Sequence, residues 1–549
     1  MSLRKIVSTC FMFFVFTNCV TFALSETPLS DSYKPVNSFI NLTDRYNPIK
    51  EDLKLWVERQ GNLAEKNVSL GVSMKHLWQS YQSSSSVYSR WLADYGRVWT
   101  YDAALGLYSV LIQKDYERAK LAADNFMDLI RAEKKKGYKG LFHFSYNTRG
   151  DDFIDPREPQ GATQWVLKAL YAYMLETGDL SHFDELTTYV IDDILPMQIL
   201  DPKHPAYGLL RQGYMHKKGL RQGGYNIYEE IDELNVLSHG VNMEHNADFI
   251  DFLRLITSVI DKYKNRIHSV GSDFRSELRK RHALCMQGVL RIRKNKHWPT
   301  AFDSKGKPNW SRAIDHYSWL SHAFMFVKNN QDIPWESINI LYNEFTTTTK
   351  TISVFKNRKL TKIKLTKPAK GLFFFTWDFQ DSFVEMPQSD RIKLEEMIQP
   401  EATAGAIIML IDFVLTTKDK EKQKFAYDFM VELFEGLAEI HKVYKTIDGY
   451  TGGGMPYATE TIPDFFGPDP SLAAGVTYQV AISKLSDNYS NFLGVKPPKG
   501  FENALTEQVD PNSIPPCYPL PDFSSDKTDK KKISIAYKSS KRYSETTIF

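Results

Sequence analysis

Five acidic residues stand at equivalent places in this chain: Asp102, Glu158, Glu244, Asp315 and Glu401 each lie in or just before the first turn of an apolar stretch. One carboxyl there usually caps free amides and complements the helix dipole. Five in equivalent positions suit a different chemistry. Two carboxyls held several ångströms apart, one as acid and one as base or nucleophile, are what glycosidic bond cleavage needs. Asp102 and Glu244 form the leading pair, with Glu158, Asp315 and Glu401 as alternates. The separation would set the outcome, with about 6.5 to 9.5 Å favouring inversion and about 5 Å retention.

Aromatic residues cluster beside these acids, and aromatic faces stack on sugar rings. Trp99, Trp377 and Tyr457 fall at rims or in loops and read as platforms, with Tyr101 beside Asp102. Trp165 and Trp319 lie deeper in their helices and read as core. His245 and Asn246 follow Glu244 and read as substrate contacts. His245 and His316 lack the His-Glu-x-x-His spacing of a zinc hydrolase, and the loop of Asp151, Asp152 and Asp155 lacks the calcium-loop pattern. No metal and no cofactor are expected. No Gly-x-Ser-x-Gly elbow and no dinucleotide fingerprint occurs, which leaves carboxylate chemistry in front.

The elements that would position these groups are helices. Apolar residues recur at three and four spacing, and period-two alternation is scarce. Six segments begin polar or small and run on as helices apolar around most of their circumference, as buried helices are. Their starts are Thr100-Tyr101-Asp102, Gly161-Ala162-Thr163, Glu244-His245-Asn246, Asp315-His316-Tyr317, Glu401-Ala402-Thr403 and Ser471-Leu472-Ala473. Amphipathic helices lie between them, and the region near DLKLWVERQ supplies a sixth, closing a ring. The expected fold is all-α, an (α/α)6 toroid whose inner helices open on one funnel. A small β-hairpin insertion is expected between Thr346 and Phe375, where lysine-rich strand patterns meet at Asn357-Arg358. An irregular Pro/Lys-rich tail over 496–549 is expected to wrap the surface and fray.

Residues 1–25 read as a signal peptide: Arg4 and Lys5 precede an apolar run from Ile6 to Leu24, and small residues follow. No later stretch is long and apolar enough to span a bilayer. The toroid over 26–495 is therefore expected to be secreted or periplasmic, with no membrane partner after cleavage. Asn41, Asn67, Asn309 and Asn488 open glycosylation acceptor patterns, relevant in a eukaryotic host. Cys10 and Cys19 leave with the leader, so Cys285 and Cys517 remain, too few for a disulfide framework. With 69 Lys and Arg against 66 Asp and Glu, the net charge of +3 on 549 residues gives no field that argues for nucleic acid.

The segments WTYDAALGLYSVL, EHNADF, PEATAG and GGGMPYAT followed by SLAAGVTYQVA resemble the helix starts of bacterial proteins in the six-hairpin glycosidase superfamily, over roughly residues 90 to 495. Thr100 to Asp102, Glu244 to Asn246 and Pro456 to Thr459 carry the likeness. It implies an (α/α)6 barrel and a carbohydrate partner, an oligo- or polysaccharide. The superfamily also contains lyases, epimerases and phosphorylases. This chain departs from it in Glu401-Ala402-Thr403, where relatives often have Glu-Gly-Thr, and in the lysine-rich hairpin. The leading reading is a glycoside hydrolase. A lyase or epimerase for acidic glycans is the second reading, and a non-catalytic glycan-binding or host-interaction protein on the same fold is the third.

Overall fold

The computed structural model describes residues 35–514, apart from 63–65, 68–71, 75, 82–96, 148–156, 218–232, 330–331, 357–358, 377–387, 448–452, 462–467 and 488. The leader at 1–25, the loop of Asp151, Asp152 and Asp155, Asn488, Cys517 and Trp377 lie outside the described residues.

The helices are α1 (Pro35–Asn62), α2 (Thr100–Ile112), α3 (Tyr116–Lys135), α4 (Gln160–Thr177), α5 (Phe183–Tyr189), α6 (Met243–Lys262), α7 (Ser272–Arg291), α8 (Ser321–Phe324), α9 (Asp332–Ile340), α10 (Gln388–Glu396), α11 (Pro400–Thr416), α12 (Lys420–Thr446) and α13 (Leu472–Asp487). The helices α2, α4, α6, α11 and α13 are buried almost all round. Each packs on the next, with a π turn at His316–Leu320 leading into α8 between α6 and α11, and α13 returns to α2. The ring is closed. Amphipathic α3, α7 and α12 stack outside their inner partners, and α1 lies against α13, where a sixth outer helix was expected. The fold is an (α/α)6 toroid.

Capping explains several helix starts. Asp115 accepts the amide of Arg118 at 3.1 Å, and Asp419 accepts those of Glu421 and Lys422 at 3.1 Å each. Asn242 does the same for Glu244 at 2.9 Å. Each side chain satisfies a donor that has no partner inside its own helix. The fourth inner element is less regular than its apolar sequence suggests, since only four residues of α helix follow the π turn. Such wide turns occur often beside functional sites.

Very short strands enter four of the inner helices. Arg97–Trp99 pairs with Ser145–Asn147, Glu158–Pro159 with Gly213–Tyr214, Val241–Asn242 with Ala301–Phe302, and Arg312–Ala313 with Phe375–Thr376, all antiparallel. Segments of two or three residues are too short for hydrophobic alternation to mark. They nevertheless pin the first turns of α2, α4, α6 and the π segment to their neighbours.

The expected hairpin is present: Thr346–Lys356 pairs with Lys359–Leu372, with a bulge between Thr349 and Thr351. It packs on α12, where Gly436 allows the approach, since a Cβ there would lie 1.8 Å from the carbonyl oxygen of Lys370.

The end of the ring away from the helix starts is plugged by the chain after α13. Tyr108 donates to the carbonyl of Asn491 at 2.9 Å, and the amides of Gly494 and Val495 donate to Asp251 at 2.8 and 2.9 Å. Phe492 packs against Trp165 with ring centroids 5.0 Å apart and the planes tilted by 57°. Residues 496–514 continue along α7, with Phe501 buried and Gln287 donating to the carbonyls of Ala504 and Glu507 at 2.8 Å each. The funnel is therefore a pocket with a floor.

Candidate active site

A cavity of about 570 Å³ opens where the inner helices begin. Asp102, Glu244, Asp315 and Glu401 all line it. Four different inner elements thus deliver one carboxyl each, because each residue sits at the first turn and every first turn faces the same funnel. Asp102, Asp315 and Glu401 are buried, and Glu244 is half-buried.

All four are raised, and different partners act on each. Burial, with Glu401 adding to it, lifts Asp102 to about 8 against a hydrogen bond from Ser80 and the charge of Arg97. Burial and then Asp248 and Glu401 lift Glu244 to about 8. Burial and then Glu244, Glu401 and Asp248 lift Asp315 well above the carboxylate range. Burial raises Glu401 too, but there the hydroxyl of Tyr101 donates to Oε1 and Gln399 donates at 3.5 Å, both favouring the charged form. Glu401 accepts from two side chains, Tyr101 and Gln399, and its charge raises each of the other three.

Aromatic rings form the wall and floor. At the mouth Trp99 meets Phe144 edge to face with centroids 4.4 Å apart, and Tyr81 meets Tyr457 at 6.4 Å. The guanidinium of Arg97 lies 3.7 Å from the Trp99 ring, and Arg157 lies 5.4 Å from that of Phe144. On the floor Trp165 stands 5.2 Å from Tyr101 and 5.8 Å from Trp319, both edge to face. Trp165 and Trp319 are buried as core residues are, yet both line the cavity.

Below the floor Lys168 donates to Asp248 at 3.0 Å and lies 3.6 Å from the Trp165 ring. His245 faces the cavity and is kept neutral, with burial pushing its pKa down to about 4. Its ring occupies the space a side chain would take at Gly161, where a Cβ would lie 2.4 Å from Cδ2. The small-residue start of α4 therefore makes room for the imidazole.

Two residues named from the sequence do not reach the cleft. Glu158 lies on a strand whose neighbours Arg157 and Pro159 face the cavity, so its own side chain points to the opposite side. There its carboxylate accepts the amide of Gly140 at 3.1 Å. Asn246 is wholly buried; it accepts the amide of Leu210 and donates to the carbonyl of Asn242, both at 2.8 Å. It ties the entry of α6 to the loop before the next strand. Tyr101, Trp99, Tyr457 and His245 do line the cavity.

Sequence reasoning did not single out Tyr81, Phe144, Arg157, Gln212, Tyr214, Asn242 and Phe374, which also line it. Most sit in the strands and loops ahead of the inner helices, and the one available signal was their place just before a helix start. Among the described residues no cluster of three or more His, Cys, Asp or Glu is arranged to hold a metal ion, and no helix is long and apolar enough to cross a membrane.

No family model and no curated protein matches the chain. Solved structures do match it. A crystal structure of D-mannose isomerase superposes with a TM-score of 0.52 at 11% identity, over 84% of this chain and 100% of the other. An unsaturated glucuronyl hydrolase specific for heparin gives 0.46 at 12% identity, over 81% and 98%. The unsaturated glucuronyl hydrolase of Bacillus sp. GL1 gives 0.41 at 10% identity, over 74% and 89%. At such identity the likeness concerns fold, and the D-mannose isomerase superposition carries it. The chain shares the fold of that structure, an (α/α)6 toroid, with a floored pocket lined by four carboxyls.

Proposed function

We propose that the protein is a glycoside hydrolase that cleaves an oligo- or polysaccharide outside the cytoplasm, after removal of its leader. The observation that carries this reading is the convergence of Asp102, Glu244, Asp315 and Glu401 on one aromatic-walled pocket, where burial lifts Asp102 to about 8 while the Tyr101 hydroxyl favours the charged form of Glu401. A hydrolase needs one carboxyl that holds a proton at neutral pH and one that does not. Asp102, lifted to about 8, suits the general acid. Glu401, held by the Tyr101 hydroxyl, suits the base or nucleophile. Asp102 so stays in the proposed catalytic pair, whose acid and base its sequence position did not assign. The second role moves to Glu401 from Glu244, which burial and Asp248 lift to about 8. Trp99 and Tyr457 serve as stacking platforms at the mouth.

The test is product release from a panel of neutral, amino-sugar and uronic-acid oligosaccharides, scored by mass, for wild type and for Asp102→Asn, Glu401→Gln and Glu244→Gln with folding verified. The reading requires products that have gained one water, lost in the Asp102 and Glu401 variants. Unsaturated products would replace hydrolysis by elimination. Proton transfer on a free sugar, epimerisation or isomerisation, is the second reading, favoured by the neutral imidazole of His245 in the cleft. It would leave the mass unchanged and respond to His245→Ala.

A further inference from the structure

Two of the four cleft carboxyls are not accounted for by the acid and base roles. Glu244 and Asp315 come from neighbouring inner elements, α6 and the π segment beside it, and the charge of Glu244 acts on Asp315. Asp315 is 3% exposed, lines the cavity, and its Oδ1 has no hydrogen-bond partner among the described residues. That is an expensive state for a buried acceptor unless something else supplies a donor.

The surrounding charges do not supply one. Asp315 faces Glu244, Glu401 and Asp248, all acidic, and Lys168 is engaged by Asp248 at 3.0 Å. His245 is neutral, and Arg157 stands at the mouth over Phe144. Trp319 follows Asp315 by one helical turn and lines the same floor. Two carboxyls with no protein cation in contact among the described residues, next to an indole, make a recognition site for a cation with several N–H donors, whose binding displaces the protons that burial keeps on them. A metal ion would call for a denser set of ligands than these two carboxyls. A sugar carries such a cation when an amine replaces one of its hydroxyls and is left unacylated.

We propose that Glu244 and Asp315 bind the ammonium group of an amino sugar, so that the substrate is a glycan containing de-N-acetylated hexosamine. The proposal rests on the carbohydrate reading of the pocket and names its substrate class. A free ammonium donates to both carboxyls and lies near the Trp319 ring. An N-acetyl group in the same place offers one N–H and no charge, and a uronate adds a fifth acid to a pocket that already holds four.

The test is calorimetric binding to the full-length Asp102→Asn protein, folded and slow to turn over its ligand. The probes are tetraglucosamine, tetra-N-acetylglucosamine and cellotetraose. Tetraglucosamine is expected to bind at least about tenfold more tightly than either of the others, the scale of one charge-assisted contact pair. Adding Asp315→Asn, which keeps the shape and removes the group that ionises when the ammonium binds, should bring the three within about twofold. Equal binding of the three probes, or a preference for the neutral or acetylated chain, overturns the proposal. So does a tetraglucosamine preference that survives Asp315→Asn. Wild-type protein titrated with glucosamine and glucose provides a check that needs no variant and is expected to show the same order. The hydrolase reading fails separately, when the preference holds but no glycan in the panel gains water.

Discussion

The two ends of α11 carry buried acids with opposite behaviour. Glu401, at the cleft end, is raised from its ordinary value, whereas Asp412, three turns on, is lowered from its own. Both are more than nine-tenths buried, and in both burial is the largest influence and pushes upward. What differs is company. Asp412 accepts from His322 at 2.7 Å and from Lys484 at 3.0 Å, which outweighs burial. Glu401 has a phenol and an amide for donors and no cation. The contrast recurs along α6, where Glu244 sits high in the cleft while Asp251 binds two amides of the plug and lies 3.7 Å from Arg254. One end of the ring is wired for stability and the other is left electrostatically unfinished, as a site that must take up a ligand has to be.

The largest effect is expected at the wired end. Asp412→Ala leaves Lys484 and His322 buried without their acid, and removing one partner of such a buried pair typically destabilises by about 3–5 kcal/mol. Urea unfolding should show that loss, while kcat of the folded fraction changes little. An Asp412→Ala protein as stable as wild type would show that the two ends do not differ in the way their geometry indicates.

At the unfinished end the ranking reverses. Asp102→Asn and Glu401→Gln are expected to lower kcat by roughly a hundred- to ten-thousand-fold, the range for loss of a general acid or base. The same proteins should be no less stable, since each change removes a buried carboxyl that has no cation in contact. Thermal melts beside initial rates decide this, and a coupled loss of both would place these acids with the structural ones.

Smaller effects test how closely the cleft is built. Gly161→Ala drives a methyl into the His245 ring, and displacement of a first-turn group by about 1 Å can cost roughly tenfold to a hundredfold in kcat/KM. Glu158→Gln should leave kcat/KM within about twofold and lower stability by roughly 0.5–1.5 kcal/mol, because a neutral amide oxygen accepts the Gly140 N–H more weakly than the carboxylate does and the pocket is untouched. A large activity loss in Glu158→Gln with unchanged stability would return it to the cleft.

How much of this could be read in advance follows from the physics of each element. The inner helices were legible because burial on all sides leaves long apolar runs, and the recurring small or polar starts placed Asp102, Glu244, Asp315 and Glu401 at one rim. Glu158 was misplaced because it precedes α4 on a two-residue strand, where alternation of sides decides the direction and no periodicity can register it. Asn246 was misplaced because it lies one turn inside α6, where its face meets the loop at Leu210. Trp165 and Trp319 were read as core from their depth, yet in a ring the core of each helix pair is also the floor of the funnel. The rim residues Tyr81, Arg157 and Gln212 come from connecting segments that only the short strand pairs bring together.

The finest test of the contrast is the pH dependence of stability. Asp102 is raised to about 8 in the folded protein, so between its ordinary value near 4 and about 8 the folded state holds a proton that the unfolded state releases. Its contribution is fully present below pH 4 and is lost as pH rises through 8. Asp412 is depressed, so its contribution is present above the ordinary value and is lost as pH falls through the folded one. Against wild type, Asp102→Asn should therefore gain stability steadily from pH 5 to 9, by roughly 2–4 °C in Tm at the alkaline end. Asp412→Asn should show its deficit across the same range and lose it only in acid. Rate profiles provide the counterpart, since a general acid with a value near 8 requires hydrolysis to fall on the alkaline side while the fold persists. Parallel slopes for the two variants would mean that both acids titrate alike, and the division of the ring into a wired end and a reactive end would fall with them.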